Sequence, residues 1–139
     1  FLLVNTDHYR TSANRIEARA LAAAEGTYRV GFQSLSRLDD EYGTRTVHEL
    51  LAETALDMHV YGARTRGQSV ADELPVTTHT GDSDELRQSW FVVFEPANGD
   101  SGAIALVAIK VGSNEWRSLW TEDTARVRAV SDYVAETFG

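Results

Sequence analysis

The chain has 139 residues, no cysteine and a formal net charge of −8, with 21 acidic residues against 13 basic ones. This length suits one domain that buries about two thirds of the surface of its unfolded chain, and the lack of cysteine excludes disulfides, thiolate metal sites and cysteine nucleophiles. The acidic balance leaves no basic stripe to displace counterions from phosphates, which excludes nucleic acid as a partner.

No apolar run reaches the ~20 residues that cross a bilayer, and no segment resembles a signal peptide. The sequence therefore predicts a cytoplasmic protein with no membrane partner. Residues 1–139 begin inside an apolar "FLLV" without an initiator methionine, and they stop at a glycine after a helical pattern. We expect a single domain excised from a longer protein.

The basic residues are almost all arginine, because Lys110 is the only lysine in the sequence. Two explanations remain open. An acidic surface with few lysines stays hydrated when salt screens charge repulsion, as in a salt-rich cytoplasm. Alternatively, a GC-rich genome favours arginine codons and the acidic surface is an ordinary one.

The first half of the chain predicts alternating strands and helices. Apolar "LLVN" at 2–5 predicts a short strand, and a helix follows over about 12–25. Gly26 is expected to end this helix, because glycine tolerates the left-handed conformation that follows many helices. The helix residues expected to face the core are Ile16, Ala20, Ala23 and Ala24.

A second strand is predicted to begin near Thr27, and "MHVYG" at 58–62 predicts a third. Between them, "TVHE" at 46–49 is a capping box that opens a helix, which is expected to end near Asp57. Crossovers of this length join parallel strands with right-handed connections, so a parallel three-stranded unit is expected. The helix residues expected to face inward are Val47, Leu50, Leu51 and Ala55.

The second half predicts antiparallel strands. "WFVVFE" at 90–95 and "AIALVAIKV" at 103–111 flank the turn-forming "PANGDSG", a pattern that predicts a β-hairpin. "EWRSLW" at 115–120 predicts one more strand, and "PVTT" at 75–78 predicts a short one.

Thr121 is expected to cap the last helix. The inner face of this helix is predicted to carry Val127, Val130, Val134 and Phe138. The fold class is therefore α/β, with a single domain built on a mixed sheet. An N-terminal parallel β-α-β-α-β unit and C-terminal antiparallel strands form this sheet, and three or four helices flank it.

Sequence motifs for metals and catalysis are incomplete. "HELLAE" at 48–53 begins like the zinc motif H-E-x-x-H, but Ala52 stands at the second ligand position, so we predict a solvated helix face and no metal site. "TGDSDE" at 80–85 lacks the central glycine and distal glutamate of a calcium loop. Ser34 is not in a nucleophile elbow, because Leu35 stands where a small residue is needed. The sequence thus predicts no catalytic residue and identifies no cofactor.

Hydrogen-bonding side chains cluster where the second and third strands end. Gln33, Ser34 and Arg37 follow the second strand, and Arg64 and Arg66 follow the third. Neighbouring parallel strands share one rim at their carboxyl ends, where ligands bind in open α/β sheets. The arginines predict either a site for an anionic or carbonyl-rich ligand or salt bridges with the acidic loops. A serine cap explains half of the cluster and leaves Gln33 and Arg37 for a shared pocket.

Three tryptophans lie in or beside predicted strands, at Trp90, Trp116 and Trp120. Aromatic residues at such positions belong to the core or line a ligand pocket. Trp90 and Trp120 are therefore candidate ligand contacts beside the rim residues.

Several segments of the sequence together match the pattern of one known family. They are "GFQSLSRL" followed by "Y", then "VYG", "SWFVVFE", and "WRSLWTED" before the last helix. Together they resemble the DICT sensory domain of diguanylate cyclases and two-component proteins. "RIEARA" is similar to the family's first helix, and "LWTED" is similar to its W-T-F-D segment, with Glu122 in place of the aromatic residue. The likeness covers nearly the whole chain, and it implies a sensory domain without catalytic activity, here in a salt-adapted member.

The expected function is a non-enzymatic, cytoplasmic ligand- or signal-sensing domain of a signal transduction protein. Its expected partners are a small-molecule or protein signal and an output domain of the same or a partner protein, and a homodimer is compatible with this role. One alternative is a small enzyme that acts on an anionic substrate with His48 or His59 as base, although we expect His59 to face the surface. Another is a purely structural interaction domain.

Overall fold

The computed structural model describes residues 6–34, 48–63, 75–81, 84–97, 102–112 and 115–138. Within these ranges the chain forms one six-stranded mixed sheet with helices on both faces, which confirms the predicted α/β class. The strands are β1 (Glu25–Ser34), β2 (Ala55–Ala63), β3 (Thr77–Thr80), β4 (Ser89–Glu95), β5 (Ile104–Gly112) and β6 (Glu115–Thr121). The helices are α1 (Thr6–Ala23), α2 (Asp84–Arg87) and α3 (Thr124–Phe138), and residues 48–52 are also helical.

The strand order is β3-β2-β1-β4-β5-β6. Strands β1, β2 and β3 are parallel, whereas β4, β5 and β6 are antiparallel to their neighbours. This confirms the parallel pairing of the strands predicted from Thr27 and at 58–62, the hairpin of β4 and β5 and the strand after it. The predicted strand at 2–5 lies outside the described residues, and the third parallel strand within them is the short β3 at the sheet edge.

The two faces of the sheet bury different sets of side chains, because successive residues of a strand point to opposite sides. We call one side the α1 face, where α1 and the helical residues 48–52 pack, and the other side the α3 face, where α2 and α3 pack. The core of the α1 face includes Ile16, Ala20, Tyr28, Val30, Leu51, Val60, Val92, Phe94 and Ile104. The core of the α3 face includes Tyr61, Leu86, Phe91, Val93, Ala105, Val127 and Val134.

The end of α1 differs from the prediction. The left-handed residue that follows the helix is Ala24, with a φ of 58°, whereas Gly26 lies inside β1. Gly26 has a φ of 118°, and a Cβ at this position would collide with the carbonyl oxygen of Glu95. Glycine is therefore required here by a close approach of two strands. Ala23 is exposed, so only Ile16 and Ala20 of the predicted inner residues are buried.

The predicted helix at 46–57 is shorter than expected at its carboxyl end, because β2 already begins at Ala55. The Thr54 hydroxyl donates to the Leu51 carbonyl oxygen at 2.6 Å, a bond that stabilises the turn after the helical residues. Leu51 is buried as predicted, but Leu50 is 46% exposed and Ala55 is an exposed strand residue. Val47 and the start of the capping box lie outside the described residues.

The last helix begins two residues later than a cap at Thr121 would allow. Asp123 is the cap, because its carboxylate accepts from the Arg126 backbone N–H at 3.0 Å. Thr121 instead ends β6, where its hydroxyl accepts from the Asp123 backbone N–H at 3.1 Å. The predicted inner face is confirmed: Val127 and Val134 are buried, and Val130 and Phe138 pack against the same core.

Candidate ligand-binding site

The structure confirms that the carboxyl ends of β1 and β2 are neighbours. Gln33 and Ser34 are the last residues of β1, and Ser34 pairs with Ala63, the last residue of β2. Arg37, Arg64 and Arg66 lie outside the described residues, so the pocket at this rim stays a prediction.

Trp90 and Trp120 are half-buried and pack against the core of the α1 face. The Arg15 guanidinium lies over the Trp120 ring, 5.3 Å from its centroid. Of the two roles that the sequence left open for these tryptophans, core or ligand pocket, this packing corresponds to the core. Both tryptophans are therefore on the opposite side of the sheet from the polar side chains of the α3 face.

A polar cluster on the α3 face, made of Arg29, Asp57, His59, Tyr61 and His79, is built by the register of the three parallel strands. Arg29 of β1 is opposite His59 of β2, and Tyr61 of β2 is opposite His79 of β3. Because alternate strand residues share a side, Asp57, His59 and Tyr61 all project to the α3 face. Five titratable side chains from three strands, Arg29, Asp57, His59, Tyr61 and His79, thus lie on one face of the sheet.

Arg29 connects β1 to both β2 and α3. Its Nε donates to the Ser131 hydroxyl at 2.9 Å, and its Nη1 donates to the Tyr61 hydroxyl at 2.6 Å. A guanidinium has five N–H donors, so three of them are left over by these two bonds. Ser131 is itself buried, which fixes the position of the guanidinium between sheet and helix.

His59 has partners on both ring nitrogens. Its Nε2 lies 3.1 Å from an Asp57 carboxylate oxygen, and its Nδ1 lies 3.0 Å from the Nε2 of His79. The His59 side chain is only 16% exposed, so the prediction that it faces the surface is wrong. The edge strand β3 supplies the partner that covers it.

His79 stacks on Tyr61, with ring centroids 4.4 Å apart and planes inclined by 11°. Burial, followed by the nearby His59 and Arg29, lowers the pKa of His79, which favours the neutral imidazole. Burial is also the main cause that raises the pKa of Tyr61, although Arg29 opposes it. Tyr61 is therefore a neutral phenol that accepts from Arg29.

A cleft of about 610 Å³ opens beside Arg29, between the sheet and α3. Its walls come from the start of β1, the end of β4 and one side of α3. The lining residues are Gly26, Thr27, Arg29, Glu95, Pro96, Ala97, Arg128, Ser131 and Asp132. The cleft is thus at the amino end of β1, opposite the rim at which the sequence predicted a ligand.

The two arginines of the cleft differ in their surroundings. Arg128 is 67% exposed and lies 3.7 Å from a Glu95 carboxylate oxygen. For Arg29, no carboxylate within the described ranges lies at ion-pair distance, and its two partners are neutral hydroxyls. Its charge is therefore held in place by hydrogen bonds without being balanced by them.

A second polar group is buried on the α1 face. The Tyr28 hydroxyl lies 3.3 Å from the Nε2 of His48, and both residues are almost fully buried. The prediction that "HELLAE" presents a solvated face is therefore wrong for His48. Burial raises the pKa of the Glu17 carboxyl to about 7, and burial followed by the charge of Glu17 raises the pKa of Tyr28.

In the part of the chain that the structure describes, no three histidine, aspartate or glutamate side chains converge on a possible metal ion. Asp57 and His79 contact opposite sides of the His59 ring, which explains why this row does not form a chelating site. The same residues contain no helix of the length and apolarity needed to cross a membrane.

Sequence reasoning missed Arg29. The available signal was a charged residue inside the apolar run "TYRVGF", at a position that alternation places on a covered face. Its partners Tyr61 and Ser131 are 32 and 102 residues away along the chain, so the pattern alone does not reveal what the arginine contacts.

A comparison with models of known protein families finds no match, and a comparison with curated proteins finds none either. The likeness to DICT sensory domains accordingly rests on the sequence segments given above.

Proposed function

We propose that this chain is a non-enzymatic, ligand-sensing domain of a cytoplasmic signal transduction protein, as its likeness to DICT sensory domains implies. The ligand binds in the cleft between the sheet and α3. The observation that carries this proposal is the Arg29 guanidinium, which is fixed in the wall of the cleft by two neutral hydroxyls.

A partly buried charge without an opposite charge is costly, because it loses hydration and gains no ion pair in return. The chain nevertheless holds Arg29 in one orientation through Tyr61 and Ser131. A binding site benefits from this arrangement, since a group that is already ordered loses little conformational freedom when the ligand arrives.

The position of the cleft supports a sensing role. A ligand on Arg29 would touch β1 and, through Ser131 and Arg128, one side of α3. A ligand shifts a conformational equilibrium only when it binds one state better than the other. A molecule that bridges the sheet and α3 meets this condition, because it binds the arrangement in which the two are packed together.

The proposal is tested by a thermal shift screen of the purified domain against small anionic, neutral and cationic metabolites. A ligand that binds only the folded form raises the melting temperature by mass action. We expect at least one compound to do so in the wild type and in Arg117→Gln, an exposed arginine on β6, but not in Arg29→Gln. A shift that survives in Arg29→Gln would place the ligand elsewhere.

The row of Asp57, His59 and His79 favours one alternative, a small enzyme with a histidine base. A carboxylate behind an imidazole is a common way to orient a general base. Both nitrogens of His59 are already bonded, so the base in this reading is His79, acting through its Nδ1. Turnover of an anionic substrate that is lost in His79→Gln would support the enzyme and contradict the sensor.

A further inference from the structure

We infer that the ligand is a small oxyanion, and that its binding is accompanied by proton uptake at the His59–His79 pair. This inference rests on the proposed function of the cleft, and it adds the chemical class of the ligand and the way in which pH regulates binding.

The donors around the cleft select an oxyanion. Within the described residues, the two hydrogen bonds of Arg29 leave three of its N–H donors, two of them on Nη2. A planar guanidinium holds carboxylate or phosphate oxygens through paired hydrogen bonds. Arg128 and the hydroxyl residues Thr27 and Ser131 line the same space. Glu95 and Asp132 are also in the lining, which limits the negative charge that the cleft accepts and favours a small ligand.

A row of contacts connects Arg29 to the histidine pair. Arg29 donates to Tyr61, the Tyr61 ring stacks on His79, and His79 is hydrogen bonded to His59. The positive charge of Arg29 is one of the causes that disfavour protonation of His79. An anion on Arg29 offsets this charge, so protonation of His79 becomes easier when the ligand is bound.

The hydrogen bond between the two imidazoles tolerates one additional proton but not two. When both rings are neutral, one N–H is shared between them. With one additional proton, on the Nδ1 of His79, the His79 Nε2–H donates to the His59 Nδ1 and the His59 Nε2–H donates to Asp57, so the contacts at 3.0 and 3.1 Å are kept. With two, an N–H faces an N–H and the bond is lost. The pair therefore takes up a single proton without disturbing β3.

The charged groups that face the pair come from several elements. Asp57 of β2 lies 3.1 Å from the His59 ring. His59 of β2 and then Arg29 of β1 disfavour protonation of His79. Tyr61 is neutral. From α3 and β4, Arg128, Asp132 and Glu95 line the cleft beside Arg29. On α2, Glu85 accepts from the Tyr133 hydroxyl. Of the two arginines that line the cleft, Arg29 is the one that contacts Tyr61 and so leads to the histidine pair, and a ligand in the cleft can offset its charge directly.

Coupling of this kind is reciprocal: if the anion makes protonation easier, protons make anion binding tighter. Sulfate and acetate are suitable probes, because both keep their charge between about pH 6 and 8. Sulfate represents tetrahedral anions such as phosphates, and acetate represents carboxylates. Comparison of the two probes therefore shows which class of oxyanion the cleft binds. Chloride at equal ionic strength controls for general screening.

We expect one of the probes to bind more tightly at pH 6 than at pH 8, by roughly 3- to 10-fold. In NMR titrations of the wild type, the same probe is expected to move the midpoint of the His79 ring signal to higher pH. Arg29→Gln should abolish both effects, and His79→Gln should flatten the pH dependence of binding. The NMR titration needs no variant, so it stays decisive if Arg29→Gln fails to fold.

Three outcomes would overturn the inference. The first is that neither probe exceeds chloride at either pH. The second is that a probe binds with no change in the His79 midpoint, and the third is that its binding persists unchanged in Arg29→Gln. The proposed function is judged separately: a neutral compound from the metabolite screen that requires Arg29 would keep the sensor and discard the oxyanion.

Discussion

The two faces of the sheet are covered by similar helices but are chemically different. The α1 face buries a continuous apolar set, and its polar contact between Tyr28 and His48 is sealed from water. The α3 face has an apolar core beneath its helices, and a row of hydrogen-bonded polar side chains runs from Arg29 towards β3. The cleft opens at the Arg29 end of this row, between β1, β4 and α3. The comparison teaches that one face supplies stability alone, whereas the other combines stability with the polar cleft in which we propose that a ligand binds.

Strand β1 shows how one sequence serves both faces. Tyr28 and Val30 point into the α1 core, while Arg29 and Gly31 between and after them point to the α3 face. A Cβ on Gly31 would collide with the ring of Phe91, so glycine here makes room for the aromatic core next to the polar cluster.

The largest expected effect is a cavity on the α1 face. Phe94 is 1% exposed and packs with Tyr28 and Ile104 in that core. Phe94→Ala should lower the free energy of unfolding by about 3–5 kcal/mol, because it removes buried contacts and leaves a cavity. Chemical denaturation measures this loss. Val111→Ala is the control, since Val111 is 49% exposed and its truncation should cost little. A loss below about 1 kcal/mol for Phe94→Ala would show that this face can repack.

The next effect is a pH dependence that originates on the α1 face. The pKa of Glu17 rises from its ordinary 4.5 to about 7 through burial. As pH rises through this window, the unfolded chain releases the proton while the folded chain retains it, so stability falls and levels off above pH 7. Glu17→Gln should remove this fall, of about 1–3 kcal/mol, and be the more stable form at pH 8. Chemical denaturation at pH 5 and pH 8 measures this change in stability, and Glu136→Gln is the control because Glu136 is exposed. If Glu17→Gln and Glu136→Gln show the same pH dependence of stability, Glu17 is not its source.

Elements with a strong hydrophobic pattern could be predicted from the sequence. The hairpin of β4 and β5 and the inner face of α3 are as expected. A continuous apolar run between turn residues, or apolar residues repeated every three to four positions, is compatible with few other secondary structures. Element ends were less predictable. The chain around Gly26 is shaped by its contact with the Glu95 carbonyl, and Ala55 is drawn into the sheet by pairing with Glu25.

The candidate site was less accessible to sequence reasoning than the fold. The polar residues after two consecutive predicted strands suggested a ligand site at the carboxyl ends of these strands. The cleft is instead formed at the amino end of β1, against β4 and α3. The order of the strands places β1 between β2 and β4, and no local pattern shows this order. His59 illustrates the same limit, since the strand pattern allowed a surface position and only the pairing of β3 reveals the His79 partner.

Tyr28 and Tyr61 sharpen the comparison because both are fully buried, one on each face. Tyr28→Phe removes the hydrogen bond to His48, which is 1% exposed. Since water has little access to this imidazole, we expect a loss of about 0.5–1.5 kcal/mol in the free energy of unfolding. The change should have no influence on ligand-induced stabilisation. A ligand response altered by Tyr28→Phe would mean that the two faces are coupled.

Tyr61→Phe is expected to have the smallest effect on stability and a larger one on the site. The Arg29 guanidinium keeps its bond to Ser131 and lines the cleft, so water in the cleft can hydrate the guanidinium after its bond to Tyr61 is lost. The free energy of unfolding should therefore fall by no more than about 1 kcal/mol. The freed guanidinium loses its fixed orientation, so the ligand-induced rise in melting temperature should shrink while the aromatic contact with His79 is kept. The contrary outcome is that Tyr61→Phe lowers the free energy of unfolding as much as Tyr28→Phe does and leaves the ligand-induced rise in melting temperature unchanged. In that case the Tyr61 hydroxyl belongs to the core, and the α3 face has no separate binding role.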